Sequence, residues 1–249
     1  MSGPVVPQHA RELAQAARRV LVLSGAGMSA ESGVPTFRDA QTGLWHRYDP
    51  AELATPQAWA RDPGLVWAWY EWRRSLVAAC QPNAGHRALA EWARIAEMSV
   101  VTQNVDDLHE RAGSAVVVHL HGSLFAHRCD SCGAPVELPV PDQAEISGRL
   151  APPVCVHCTG RIRPGVVWFG EALPAGALDE AMTQIEASDL VMVVGTSGMV
   201  HPAAALPGLA VSAGVPVVEI NPNPTGLPAD VHWPVTAAVG LPALVDQLG

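Results

Sequence analysis

Six short runs of β-branched and aliphatic residues punctuate the chain, at 20–23, 100–102, 116–120, 166–168, 190–194 and 215–220. Each is nearly continuous in apolar character, as in strands covered on both faces of a parallel sheet. Helical periodicity between them predicts helices over 9–18, 86–96, 179–187 and 203–213. Alternation of this kind predicts an α/β fold, a Rossmann-like doubly wound parallel sheet. Two stretches break the rhythm. Residues 39–82 hold five tryptophans, Trp45, Trp59, Trp67, Trp69 and Trp72, in a helical pattern and read as a helical insertion. Residues 123–163 carry four paired cysteines, several prolines and little periodicity. They read as a metal-stapled module too small to fold on apolar burial alone. The expected division is a nucleotide-binding unit of 1–39, 85–122 and 164–249, a helical insertion of 40–84 and a zinc module of 123–163, the last two forming a smaller domain.

Composition narrows the chemistry. The chain has 249 residues, 49% of them hydrophobic, so a sizeable core is available. The formal net charge of −9 argues against bulk attraction to nucleic acid or an anionic membrane. All 15 basic residues are arginine. A Schiff-base lysine, a lysine nucleophile and a Walker-type phosphate lysine are therefore excluded. The first residues lack the apolar stretch of ~7–15 that a signal peptide needs. No run approaches the ~20 apolar residues that span a bilayer. A cytoplasmic monomer is expected, and in that compartment paired cysteines more often hold metal than form disulfides.

The first strand runs into Ser24, Gly25, Ala26, Gly27, Met28 and Ser29, with Glu31 and Gly33 beyond. Glycines there permit a tight turn and a close approach to a pyrophosphate at a helix start. The spacing departs from the usual dinucleotide fingerprint, because the glycine after Gly27 comes six residues on. Alone, the turn fits a phosphate loop and an ordinary strand–helix connection equally. Gln103, Asn104 and Asp106 follow the second strand, where α/β sheets place ligands. Their amides and carboxylate suit ribose hydroxyls and a carboxamide, although an Asx-rich loop capping a helix near Asp106 would look the same. His119 and His121 alternate, so one strand would point both to one face. His121, before Gly122 at the strand end, suits a base; His119 reads as structural.

Read together, these segments resemble the sirtuins, the NAD-dependent protein deacylases. The stretch GAGMSAESGVPTFRDAQTGLW from Gly25 to Trp45 resembles their NAD-binding segment. Gln103-Asn104-Val105-Asp106, His121-Gly122, Gly195-Thr196-Ser197 and Asn221 match further blocks in order, and the likeness runs from about Ala16 to Leu248. The resemblance implies NAD contacts from Gly25, Ala26, Gly27, Ser29, Glu31, Thr36, Phe37, Arg38, Trp45, Gln103, Asn104, Asp106, Gly195, Thr196, Ser197, Asn221, Pro222, Asn223 and Ala237. It makes His121 the catalytic histidine. It also implies the reaction: the acyl-lysine carbonyl oxygen attacks C1′ of the nicotinamide ribose as nicotinamide departs. His121 then assists the 2′-hydroxyl, and free lysine and O-acyl-ADP-ribose are released.

Cys129-x-x-Cys132 and Cys155-x-x-Cys158 stand 22 residues apart. Thiolates spaced this way close a tetrahedral structural Zn²⁺ site. Nucleic-acid-binding zinc ribbons use similar pairs, but Arg128, Arg161 and Arg163 are a thin basic set for that role. Cys80 has no partner and reads as a buried apolar residue.

Tyr70 and Arg73, three apart, share a helix face. An arginine fork pairs with carboxylates and a tyrosine adds a donor, although a solvated surface helix would show the same pattern. Y-x-x-R with Ala54 upstream resembles the sirtuin class that removes negatively charged acyl groups. There Tyr and Arg bind the malonyl or succinyl carboxylate and the alanine leaves room for the chain. Val167, Trp168, Phe169 and Gly170 resemble the segment that pairs with the substrate backbone, and Gly165 stands where some members have histidine. The expected activity is NAD-dependent removal of succinyl, malonyl and acetyl groups from protein lysines, with no nucleic-acid or membrane partner. Mono-ADP-ribosyl transfer from NAD and a non-catalytic NAD-binding zinc protein remain the alternatives.

Overall fold

The computed structural model describes residues 4–34, 49–142 and 148–248. The chain runs through α1 (Gln8–Ala16), β1 (Arg19–Ser24) and the short α2 (Ala26–Ala30). Then come α3 (Pro50–Leu53), α4 (Pro56–Arg61), α5 (Pro63–Ala79), α6 (Ala84–Trp92), β2 (Glu97–Thr102), α7 (Leu108–Ala112) and β3 (Val117–His119). An antiparallel segment follows: β4 (Gly122–Cys129), β5 (Pro135–Val136) and β6 (Ile162–Val166). Beyond it lie α8 (Ala177–Ala187), β7 (Leu190–Val194), α9 (Leu206–Ser212), β8 (Val217–Ile220), β9 (Val231–Trp233) and α10 (Ala237–Val245).

The large sheet has the order β3-β2-β1-β7-β8-β9 and every pairing in it is parallel. Counted by its own strands this is 3-2-1-4-5-6, the Rossmann order, with the switch point between β1 and β7. The period of two in a strand explains the continuous apolar runs. Val20 and Val22 of β1 enter a core with α1, α6 and α10, while Leu21 and Leu23 enter one with α8 and α9. All five residues of β7 are buried.

The smaller unit is built around the sheet β5-β4-β6. Its core is shared between chain segments far apart in sequence: Trp59, Trp67, Trp69, Tyr70 and Trp72 from α4 and α5 pack with Leu124, Cys129, Cys155, Ile162, Val166 and Trp168. Thr55 and Asp62 set the starts of α4 and α5 by accepting the N–H groups of Ala58 and Leu65, each at 3.0 Å, with proline next in chain. Three expectations need correction. The 166–168 run belongs to no parallel strand; β6 ends at Val166 and pairs antiparallel with β4. His121 lies in the turn after β3 rather than on one strand with His119. Cys80 is half-buried, and its thiol donates to the Leu76 carbonyl at 3.3 Å.

Gly165 has a steric explanation. The β4–β6 register shifts between Ser123 and His127, and a Cβ on Gly165 would fall 1.5 Å from the Ala126 carbonyl oxygen. No side chain fits this pairing.

A buried charged group joins the helices to the small sheet. Arg74 donates to Glu71 through Nε at 3.1 Å and Nη2 at 2.5 Å, and to the carbonyls of Leu138 and Pro139. His127 of β4 lies 3.3 Å from Glu71. Burial alone would raise the Glu71 pKa, but the hydrogen bonds from His127 and Arg74 hold it below the usual carboxylate value. Glu71→Ala strands Arg74 in the interior and should cost ~3–5 kcal/mol, the scale for breaking a buried pair. Denaturant titration of the metal-loaded protein measures this. A loss under 1 kcal/mol would mean that water already reaches the group.

Candidate active site

The carboxyl ends of β1, β2, β7 and β8 open onto one cleft of about 1230 Å³, between the large sheet and the smaller unit. This is the crevice where doubly wound sheets bind nucleotides. Its floor is made by two backbone turns in contact. Gly27 donates its N–H to the Gly195 carbonyl at 2.8 Å. A Cβ on Gly25 would lie 2.8 Å from Thr196 Cα, and one on Gly27 2.7 Å from Gly195 Cα. Gly195 itself has φ +61°, which favours glycine. The glycines are thus required first for turn-on-turn packing, which explains why their spacing departs from the usual fingerprint.

Side-chain amides tie the strand ends together. Gln103 donates to Thr196 Oγ1 at 2.9 Å, Asn104 to the Gly25 carbonyl and to Ser29 Oγ at 3.1 Å each, and Asn221 to the Thr196 carbonyl at 2.7 Å. Asp106 is buried, and burial raises its pKa against the opposing hydrogen bonds from Leu108 and Ser29. Asp106 accepts the Leu108 N–H at 3.1 Å, so it both caps α7 and lines the cleft.

His121 bridges the two units. Its Nδ1 is 3.0 Å from the Gln103 carbonyl. A carbonyl only accepts, so Nδ1 carries the proton and Nε2 keeps its lone pair. Its own carbonyl accepts the Val167 N–H at 2.8 Å. Burial lowers the His121 pKa below its ordinary value of 6.5, so the ring is neutral at neutral pH. His119 contrasts with it. Nδ1 faces the Asn104 carbonyl at 2.9 Å and Nε2 faces Glu110 at 2.7 Å, leaving neither nitrogen for a ligand.

The wall opposite the sheet carries Ala54, Tyr70, Arg73, Val167, Trp168, Phe169 and Gly170. Ala54 reaches the 167–170 segment directly, its carbonyl accepting the Phe169 N–H at 2.9 Å. Arg163 holds that segment from behind. It is 5% exposed, lies 3.4 Å over the Trp168 ring and pairs with Glu171 through both Nη atoms at 2.7 and 2.8 Å. It is therefore not presented to nucleic acid.

The cleft also gathers Gly25, Ala26, Gly27, Ser29, Gln103, Asn104, Asp106, His121, Gly195, Thr196, Ser197, Asn221 and Asn223. Glu31, Pro222 and Ala237 are not among its lining residues. Glu31 instead accepts the Ala238 N–H at 3.2 Å, at the start of α10, and Ala237 is buried in the sheet core. Thr36, Phe37, Arg38 and Trp45 lie outside the described residues. The cleft adds Leu124, Val166, Leu173, Met199, His201 and Thr225, which sequence reasoning did not single out. Met199, His201 and Thr225 follow the ends of β7 and β8 and were accessible from that position alone; the apolar ones look like core.

Cys129, Cys132, Cys155 and Cys158 bring their four Sγ atoms within 4.8 Å of one another. Backbone N–H groups of Ser131 and His157 point at Cys129 and Cys155 sulfur, each at 3.4 Å, the support thiolate ligands need. His127 is not part of this cluster.

A Rossmann cleft closed by a unit with a four-thiol cluster defines an NAD-binding protein with a structural zinc module. The chain belongs to the Sir2 family, whose model matches residues 25–202. It is 53% identical over 246 residues to the NAD-dependent protein deacylase of Corynebacterium glutamicum, covering 97% of this chain and 95% of that one. It is 59% identical over 216 residues to NAD-dependent protein deacylase 1 of Pseudomonas aeruginosa, 86% of each chain. A Sir2 homologue solved as its NAD complex superposes with TM-score 0.90 at 45% identity, over 100% of this chain and 96% of that one. A Sir2 protein bound to an acetylated peptide gives 0.84 at 28% identity, over 97% and 99%.

Proposed function

We propose that this chain is an NAD-dependent protein-lysine deacylase that accepts acyl groups ending in a carboxylate. The deacylase class rests on family membership and on relatives of that name along nearly the whole chain. The acidic-acyl reading rests on one observation: Tyr70 and Arg73 stand on the wall of the cleft that also holds His121. Burial raises the Tyr70 pKa, so the phenol stays a donor, and burial lowers the Arg73 pKa, so this position favours an added anion. Ala54 leaves space beside them.

NAD, when bound, supplies an electrophilic ribose carbon with nicotinamide as leaving group. The chain's residues position and shield. Gln103 and Asn221 would meet ribose hydroxyls, Asn104 and Asp106 the carboxamide, and the 25–27 and 195–197 turns the phosphates. His121 Nε2 takes a hydroxyl proton while the Gln103 carbonyl holds Nδ1–H. One water is consumed, and free lysine, nicotinamide and O-acyl-ADP-ribose are the products.

Arg73→Met should lower kcat/KM for succinyl-lysine peptides by roughly 2–4 kcal/mol, the scale for a buried charge pair. Acetyl-lysine peptides lack the carboxylate and should change little. Steady-state kinetics on matched peptides decides it; equal proportional loss on both would make Arg73 structural and end the acidic-acyl reading.

A further inference from the structure

Tyr70, Arg73 and Val77 of α5 all line the cleft. Their i, i+3, i+7 spacing puts them on one helix face, so the setting of α5 sets the acyl end of the site. The last carbonyls of a helix find no partner within it, and α5 has no basic residue in its last turn. Locally, the Val77 carbonyl takes the Cys80 N–H at 3.0 Å and the Leu76 carbonyl the Cys80 thiol; a further donor comes from another part of the fold. Arg111 of α7 sends Nη1 to the Val77 carbonyl at 3.4 Å and Nη2 to the carbonyl of Cys80, the C-cap residue. Asp107, four residues back, holds the same guanidinium at 3.5 Å. α7 is itself fixed at its start by Asp106, which lines the cleft.

We propose that Arg111 is a positioning residue for acyl-chain selectivity: by clasping the end of α5 to the helix that follows the 103–106 loop, it fixes Arg73 relative to His121. This rests on the acidic-acyl reading of Tyr70 and Arg73. Pairing between a guanidinium fork and a carboxylate depends on both distance and plane. An acetyl group carries no carboxylate and tolerates a shift of the helix that a succinyl group does not.

The test is steady-state kinetics of the zinc-loaded full chain on matched succinyl- and acetyl-lysine peptides. It compares wild type, Arg111→Met, Arg111→Lys, Arg73→Met and the double variant Arg73→Met/Arg111→Met. Displacing a recognition group by about 1 Å costs up to ~10²-fold, so Arg111→Met should lower succinyl kcat/KM by ~10-fold or more, mainly through KM, with acetyl turnover within about twofold. Arg111→Lys, which keeps the charge and loses the fork, should recover part of the loss. The double variant should be no worse on succinyl peptide than Arg73→Met, because both act through one contact. Equal proportional loss on both peptides, no loss on either, or additive losses in the double variant would overturn the proposal. If Arg111→Met does not fold, Arg111→Lys and Asp107→Asn carry the same comparison, and an unselective loss in both overturns it. A selective Arg73→Met beside an unselective Arg111→Met rejects the clasp alone; an unselective Arg73→Met rejects the acidic-acyl reading beneath it.

Discussion

His121→Ala should retain the fold and NAD binding and lose ~10²–10⁴-fold in turnover, the range for removing a general base. Among the described residues the ring makes one hydrogen bond, from Nδ1 to the Gln103 carbonyl at 3.0 Å, so little of the described fold depends on it. The backbone link from Val167 to the His121 carbonyl survives the substitution. The pH profile gives a second check. Burial lowers the His121 pKa below 6.5. A base works in its deprotonated form, so wild-type activity should be level through neutral pH and fall only as pH drops through that lowered value. The variant should lose this limb. Turnover within twofold of wild type, or an unchanged acid limb, would assign the base elsewhere; Asp106 is a buried carboxylate of the same cleft.

Much of the large sheet was legible because its strands are buried on both faces: β1 and β7 are nearly continuous apolar runs whose alternate residues enter different cores. What failed was long-range. Val166 is apolar and buried, but nothing within the 166–168 run records that its strand pairs antiparallel with β4 through a bulge, nor that Gly165 is there for the Ala126 carbonyl. The motif glycines were visible and half of their reason was not. Gly25 and Gly27 face the Gly195 turn, more than a hundred and sixty positions away in sequence. Glu31 belonged by sequence to the nucleotide segment, but its carboxylate is used at the start of α10. Arg111 carried no signal, since its partners are backbone carbonyls of another helix.

Cys129→Ser, or removal of the metal by a chelator, should unfold the smaller unit and abolish deacylation with it. Tetrahedral zinc with Zn–S bonds of ~2.3 Å places its sulfurs ~3.8 Å apart. Cys132 and Cys155 sulfurs stand at 3.8 Å, and those of Cys129 and Cys158 at 3.4 Å. Four thiolates leave no open position, so the ion is structural, and its binding energy becomes folding energy, on the order of 10 kcal/mol or more. That energy reaches the site through packing. Cys129 and Cys155 are buried in the core that also contains Tyr70, Trp69 and Trp168. Trp59 of α4 donates to Asp130, beside the first ligand, at 3.0 Å. Losing the cluster therefore loosens α5 and the 167–170 segment, which together form one wall of the cleft. Metal analysis should find about one zinc per chain in wild type and little in Cys129→Ser, with a lower melting temperature in the variant. Wild-type melting and activity in a zinc-free variant would show that apolar burial alone holds the smaller unit.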